Sequence, residues 1–333
     1  MLSTDCSLGG RLALERGPTL LCMSETDPDK QLDTTRPFLR SDAKSLGLSP
    51  RDFRGSRFRR LFKGVRVDGD TPVTPLILGE GALLLHPKGA FISHRTAAAI
   101  HGVHVPADTP EVDVSVVNKA DRRFTTGIRP HLARDADEVT SIKGVRVSSA
   151  CRTFAELARV LSPVDLVVVG DRLVKLGRCT TAQLISYCET WDGYFRRKAI
   201  YCASLVRAGV DSRMETRLRM LIVLAGLPEP TVNFKLRRAD GSVRRRFDLS
   251  YPSVRLVIEY DGRQHAEDPE QWQMDIERRE ELDDEQWRLL IVTRKGIYDN
   301  PLNTLVRVRD KLIALGYPKV PRHFADGWRQ HFM

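Results

Sequence analysis

No apolar stretch of this chain approaches the ~18 residues that a membrane-crossing helix requires. Its opening residues, MLSTDCSLGGRLALERG, lack the continuous apolar region of a secretory signal. Cysteine is sparse and scattered. Cys6, Cys22, Cys151, Cys179, Cys188 and Cys202 include no C-x-x-C pair, which argues against a zinc knuckle and suits free thiols in a reducing compartment. Acid is the minority sign: 43 Asp plus Glu stand against 53 Lys plus Arg, a formal net charge of +10 over 333 residues. A chain this basic is biased toward polyanions, and nucleic acid is the commonest such partner, although charge serves solubility as well. The expectation is a cytoplasmic protein with no membrane partner.

What is present fits globular domains: 41% hydrophobic and 29% charged residues, over a length that suits two domains better than one. Residues 1–35 hold few aromatics and no clear period and read as a disordered tail, with Met23 as an alternative start. Order is expected from Arg36. Residues 41–46 read as a short helix stopped by Gly47, and Ser49-Pro50 as a cap opening a second helix over 51–55. Residues 58–67, FRRLFKGVRV, read as a hairpin turning near Lys63-Gly64. Helix, turn, helix and hairpin make a small winged helix over 36–69. Arg51, Arg54, Arg57, Arg59, Arg60, Lys63 and Arg66 face one acid, Asp52. That charge suits contacts to DNA phosphates; the plainer reading is a solvated basic hairpin.

A middle α/β region is expected over 70–208. It has a helix at 93–100 ended by Gly102, strands at 111–117 and 145–147, and helices at 149–161, 165–176 and from 181 to 188. No catalytic spacing stands out. His94, His101 and His104 lie close together, and the first and second could share a helix face. They read as ordinary helix or loop histidines, because a metal site needs a fuller ligand set. From Arg36 to about Ala208 the chain resembles the AbiEi-type antitoxin family, through RPFLRSDAKSLGLS, FRRLFKGVRV, AFISHRTAAAIHGV, EVDVSVV and SSACRTFAELA. That family joins a winged-helix DNA-binding domain to a second α/β domain. The resemblance implies DNA binding, a cognate toxin as partner, and autoregulation.

The C-terminal pattern, over 209–318, is richer in chemistry. A helix at 211–225 places Met214, Leu218, Leu221, Ile222 and Ala225 on one face. Strands follow at 231–236, 243–251 and 254–261, with turn signals at Asp240-Gly241 and Pro252-Ser253. Then come a helix at 269–282, a buried strand at 287–293 and a closing helix at 303–315, in the order α-β-β-β-α-β-α. Residues 319–333 are left as a tail. Period-two alternation puts Phe247, Leu249 and Tyr251 on one side of their strand and Arg246, Asp248 and Ser250 on the other; Glu259 and Asp261 share a side with Arg255 and Val257. A hairpin with Tyr251 facing Val254 would set Asp248 against Val257 and diagonal to Glu259, roughly 7–8 Å apart at Cα. Carboxylates gathered on one face repel unless neutralised. Mg²⁺ (or Mn²⁺) held by Asp248, Glu259 and Asp261 is one answer, and such an ion activates water at a scissile phosphate. Pairing with arginine is the other, since Arg246 would lie opposite Glu259.

These residues carry a second resemblance. SRMETRLRMLIVLAGLPEP, FDLSYPSVRLVIEYDGRQH, MDIERREEL and WRLLIVT resemble a family of unknown function related to the very-short-patch-repair endonucleases, within the PD-(D/E)XK superfamily. The most specific match is E-x-D-G-x-x-H at Glu259, Asp261, Gly262 and His265. The resemblance implies a restriction-endonuclease-like domain with Asp248 and Glu259 as metal ligands, Asp261 in support and Glu215 beside them. His265 would serve proton transfer or phosphate contact, and Asp275 and Arg278 match the family's D-x-x-R helix. The chain departs from the superfamily at Tyr260-Asp261, where x-Lys is the rule; Arg278, Arg279 or His265 could substitute. Structural readings stand beside these: Ser212-x-x-Glu215 is a capping box, His265 a loop histidine, Asp261-Gly262 a turn signal, Asp275 and Arg278 an ion pair, and Trp272 and Trp287 packing residues. The leading expectation is a DNA-binding, Mg²⁺-dependent endonuclease of mixed α/β fold. The rival is a non-catalytic antitoxin-like regulator whose nuclease fold has lost turnover.

Overall fold

Phe58, Phe62, Val65 and Val67 are buried while the basic residues between them are exposed or half-buried, so this hairpin is amphipathic as its sequence alternates. The computed structural model describes residues 33–45, 48–49, 51–105, 110–262, 280, 282 and 285–333. The expected tail (all but its last few residues), Met23, Gly47, Pro50, His265, Trp272, Asp275, Arg278, Arg279 and most of the 269–282 helix lie outside the described residues.

The first sheet has the order β1-β3-β2, from β1 (Phe38–Leu39), β2 (Phe58–Phe62) and β3 (Val65–Asp68), with Gly64 turning the hairpin at φ 87°. Helix α1 (Arg40–Ser45) follows β1. The expected second helix is instead a run of turns over 51–54. Asp52 folds back to accept the Ser49 N–H at 2.7 Å and its hydroxyl at 2.8 Å. Four residues before Gly55 are too few to offset the cost of helix nucleation against such a turn.

The second sheet runs β6-β5-β4-β8-β7, built from β4 (Phe91–Ile92), β5 (Val112–Val116), β6 (Ile128–Leu132), β7 (Val139–Ile142) and β8 (Val145–Ser148). Helices α2 (Pro75–Leu83) and α3 (His94–Ile100) pack on it. β5 is buried along its whole length. Phe62 and Val65 of the hairpin share one apolar cluster with Val112, Val114 and Val147 of this sheet, so the expected boundary at 69/70 is no break in the core.

Four helices follow: α4 (Ala150–Leu157), α5 (Pro163–Lys175), α6 (Thr181–Thr190) and α7 (Arg196–Ser204). Ser149, Ser162 and Thr180 each cap the next helix by accepting a backbone N–H. They lead to α8 (Arg213–Leu224), whose buried Arg219 meets Asp171 of α5 at 2.9 Å. A single apolar cluster runs from Ala98 to Phe332 and contains Phe154, Val206, Leu218, Leu249 and Ile258. The expected boundary at 208/209 is therefore also crossed by core, and the chain from Thr34 onward is one unit.

The third sheet has the order β12-β11-β10-β9, from β9 (Thr231–Arg237), β10 (Val243–Tyr251), β11 (Leu256–Asp261) and β12 (Arg288–Thr293). The β9/β10 and β10/β11 pairs are antiparallel, and β12 is parallel to β11. Tyr251 pairs with Leu256 rather than Val254. Pro252–Val254 forms a single 3₁₀ turn and Arg255 takes the left-handed conformation at φ 50°, so four residues make the loop. The alternation expected for β10 also breaks. Val232 and Leu249 join the large core, whereas Phe234 and Phe247 pack on Trp287 at 5.8 and 4.9 Å in a second cluster with Val257. Asn233 sits at the switch with φ 53°, and Arg244 of the outer hairpin pairs with Glu285. Helix Pro301–Ala314 closes this sheet. The expected tail is not loose: Trp328 and Phe332, four residues apart, are both buried in the large core.

The fold is mixed α/β with three sheets. Among the described residues no helix is long and apolar enough to cross a membrane.

Candidate functional site

The expected acids lie on α8 (Glu215), β10 (Asp248) and β11 (Glu259 and Asp261). Ser212 caps α8 by accepting the Glu215 N–H at 3.1 Å, and Glu215 returns a carboxylate oxygen to the Asp211 N–H at 2.9 Å. The capping reading of Glu215 is thus met in kind, one residue before the cap itself. Glu215 is buried. Burial raises its pKa and the charge of Asp248 adds to the rise, against the hydrogen bond from the Asp211 backbone. Asp248 is therefore within electrostatic reach of Glu215.

Leu249↔Ile258 is the last β10/β11 pair, and Asp248 and Glu259 are the next residues on each strand. Ser250, not Asp248, is the residue opposite Val257. Glu259 is buried, whereas Asp248 and Asp261 are half-buried. Arg246 does not face Glu259; it pairs with Asp211, which also takes Lys175 Nζ at 2.6 Å. The Lys175 hydrogen bond leads the causes that hold Asp211 below its ordinary pKa. Among the described residues no group of three or more His, Cys, Asp or Glu side chains is placed to hold a metal ion, so Asp248, Glu259 and Asp261 are not drawn together as a three-ligand set. A hydrated Mg²⁺ requires only one or two carboxylates. His265 lies outside the described residues.

The basic hairpin keeps its expected surface. Arg51, Arg54, Arg57, Arg59, Arg60 and Lys63 are exposed and Arg66 is half-buried. Arg59 donates to the Gly69 carbonyl at 3.0 Å, and Arg57 lies over the Phe58 ring at 4.9 Å and 3.9 Å from Asp52. Arg60 and Arg66 are direct cross-strand partners. Burial, then the charges of Arg60 and Arg40, hold the Arg66 pKa below its ordinary value. Arg40, whose guanidinium stacks 5.3 Å above Phe53, extends the cationic surface. Sequence reading missed it because it precedes the charge run by eleven residues and is brought there by the β1/β3 pairing.

The three middle histidines separate. His101 bonds the Ser148 carbonyl at 2.8 Å, His94 bonds the Ser93 hydroxyl at 2.9 Å, and His104 is exposed. His94 instead stacks on His131, which sequence spacing gave no reason to join to it.

No protein-family model matches the chain. No curated protein matches it. Among solved structures, the crystal structure of the RV2827C protein from Mycobacterium tuberculosis is similar over 52% of this chain and 72% of that one, at 14% identity and a TM-score of 0.38. Nothing about fold or function follows from a likeness of that degree.

Proposed function

We propose that this chain is a DNA-binding protein whose basic hairpin docks on phosphates and whose C-terminal sheet is a Mg²⁺-dependent nuclease domain of the PD-(D/E)XK kind. The observation that carries DNA binding is the direct opposition of Arg60 and Arg66 across β2 and β3. Like charges placed opposite each other destabilise a sheet, and a polyanion offsets that cost. The nuclease reading is supported by α8 followed by three antiparallel strands and a parallel fourth, with Asp248 and Glu259 each one residue beyond the last β10/β11 pair.

In this reading Asp248 and Glu259 hold the ion, Asp261 supports it and Glu215 stands behind them. A bound Mg²⁺ would lower the pKa of a water and stabilise charge on the scissile phosphate. The hairpin's guanidinium groups supply affinity without reading sequence. Purified protein should nick plasmid DNA with Mg²⁺ or Mn²⁺ and shift DNA on a gel in EDTA. Asp248→Ala or Glu259→Ala should abolish nicking and leave the gel shift intact. Undiminished cleavage by both variants would remove the site assignment.

A second reading is a non-catalytic antitoxin-like regulator with a cognate toxin as partner. Two observations favour it: Glu215 is engaged at the start of its own helix, and Tyr260-Asp261 stands where the superfamily carries x-Lys. It predicts a gel shift without nicking in either metal.

A further inference from the structure

The middle of the molecule holds a cavity of about 570 Å³ that neither function above uses. Its floor is made by His94 at the start of α3, Asp113 on β5 and His131 on β6. The two imidazole rings stack with centroids 3.8 Å apart and planes 16° from parallel. His131 Nε2 lies 2.8 Å from the Asp113 carboxylate. Burial, then the charge of His131, presses the His94 pKa down to about 3, so that ring carries no charge at neutral pH.

The two buried acids of this cavity, Asp113 and Glu156, are turned inward, while half-buried Asp135 and exposed Asp192, which also line it, pair with Arg152 and Arg134. Asp113 accepts the backbone N–H groups of Arg95 and Thr96 at 3.2 and 3.3 Å. Glu156 accepts the His94 N–H at 3.1 Å, the Ser148 hydroxyl at 3.1 Å and Arg152 Nε at 2.9 Å. Arg152 is itself buried and is further bound to Asp135 at 2.7 Å. Every acid that lines the cavity is thus bonded within the protein, exposed Asp192 through Arg134.

The mouth is cationic and aromatic. Arg122 is half-buried, and its Nε is buried without a hydrogen-bond partner among the described residues. A buried unpartnered guanidinium nitrogen is costly unless a ligand or water completes it. Arg159 is exposed beside the cavity with its guanidinium 5.8 Å over the Tyr194 ring. Tyr194 is 74% exposed, far more than packing would leave it, and with half-buried Trp191 it forms an aromatic edge to the opening. The floor also stores strain: His94 opens its helix in the left-handed region at φ 48°. Such strain gathers at ligand sites, where the surrounding structure over-determines it.

A concave site of a few hundred cubic ångströms, with guanidinium donors at its mouth and an exposed ring beside them, fits a small planar molecule that carries a phosphate. We propose that this cavity binds a nucleoside 5′-phosphate, the phosphate meeting Arg122 and Arg159 and the base lying against Tyr194.

The test is isothermal titration calorimetry on the full chain at low salt in EDTA. Adenosine, guanosine, cytidine and uridine 5′-monophosphates are titrated singly, with the matching nucleosides, inorganic phosphate and a 5′-phosphorylated trinucleotide as further arms. At least one monophosphate should bind in the micromolar range while its nucleoside does not. Arg159→Ala and Tyr194→Ala should each weaken that binding at least tenfold; both residues are exposed, and unchanged melting of the free variants shows that they fold. Binding of the trinucleotide but of no mononucleotide assigns the same chemistry to the end of a strand. Absence of heat with every phosphate at millimolar concentration overturns the proposal. So does equal binding of inorganic phosphate and mononucleotide, or binding that both variants retain in full.

Discussion

At the scale of the residue, the middle histidines show how burial sets chemistry. His94 is held near pKa 3 by burial and by His131, with Arg159 and Arg95 adding to the fall and Asp113 opposing it. Its folded pKa lies below the ordinary 6.5, so the unfolded chain takes up the proton first as pH falls. The stability this residue protects is whole above pH 6.5 and is lost progressively from there toward pH 3. His94→Gln should flatten that acid limb, read as the urea midpoint against pH. A limb of unchanged slope would show that another group carries it. Arg152 and Glu156 illustrate the same physics with opposite charges: each would be costly alone in this interior, and each is tolerated because the other is there. Neither was singled out by spacing, because an Arg and a Glu at i,i+4 on a helix usually mark a solvated face.

At the scale of the element, the β2/β3 hairpin is both the most legible piece and the most exposed to test. Its strands follow the alternation of FRRLFKGVRV, and Gly64 supplies the positive φ that its turn needs. Replacing Arg60 by Thr removes the opposition to Arg66. It should stabilise the free protein by about 0.2–1 kcal/mol and weaken DNA binding alike for all sequences. The slope of log affinity against log salt should shrink by ~1. Loss of stability, or an unchanged salt slope, would deny the hairpin its role. Helix α5 offers a packing test. A Cβ at Gly170 would sit 2.4 Å from Val206 and 2.8 Å from Phe154. Alanine gains about 1 kcal/mol of helix propensity there but overpacks a core contact at a cost of about 1–3 kcal/mol. Gly170→Ala should therefore lower the urea midpoint, whereas an exposed helical glycine would raise it.

Helices α5, α6 and α8, each opened by a capping Ser or Thr, were readable to within a residue or two, whereas Ser149-capped α4 stops at Leu157, four residues short of its expected end, and Thr74-capped α2 was not expected. Strands β6 and β7 were not. Ile128–Leu132 carries a proline and a histidine, and Val139–Ile142 is four residues long with two hydroxyl side chains in its middle. Such segments become strands because a neighbour offers them hydrogen bonds, a fact that period-two patterning cannot supply. The turns at 51–54 failed in the opposite direction: the residues permit a helix, but Asp52 and Ser49 close on each other first.

At the scale of the whole molecule, the regions that composition separates are joined by core. Phe154 and Val206 share their cluster with Leu218 and Ile258, and the final residues seal it. Trp328 fills that cluster completely, so Trp328→Ala should cost about 3–5 kcal/mol in chemical denaturation, as a large core truncation does. A loss below half a kilocalorie would return residues 319–333 to the status of a tail.

The sequence by itself determined what depends on neighbours along the chain: the mixed α/β class, the caps, the basic hairpin, and the presence of Asp248, Glu259 and Asp261 on adjacent strand segments. Tertiary structure decided what depends on partners far away. It shifted the β10/β11 register through a four-residue loop, gave Arg246 to Asp211, put Asn233 in the left-handed conformation, and brought His94 of one helix onto His131 of a strand. The reason is range. Propensity, capping and alternation act over a few residues, whereas register, ion pairing and cavities are settled by which distant surfaces exclude water together.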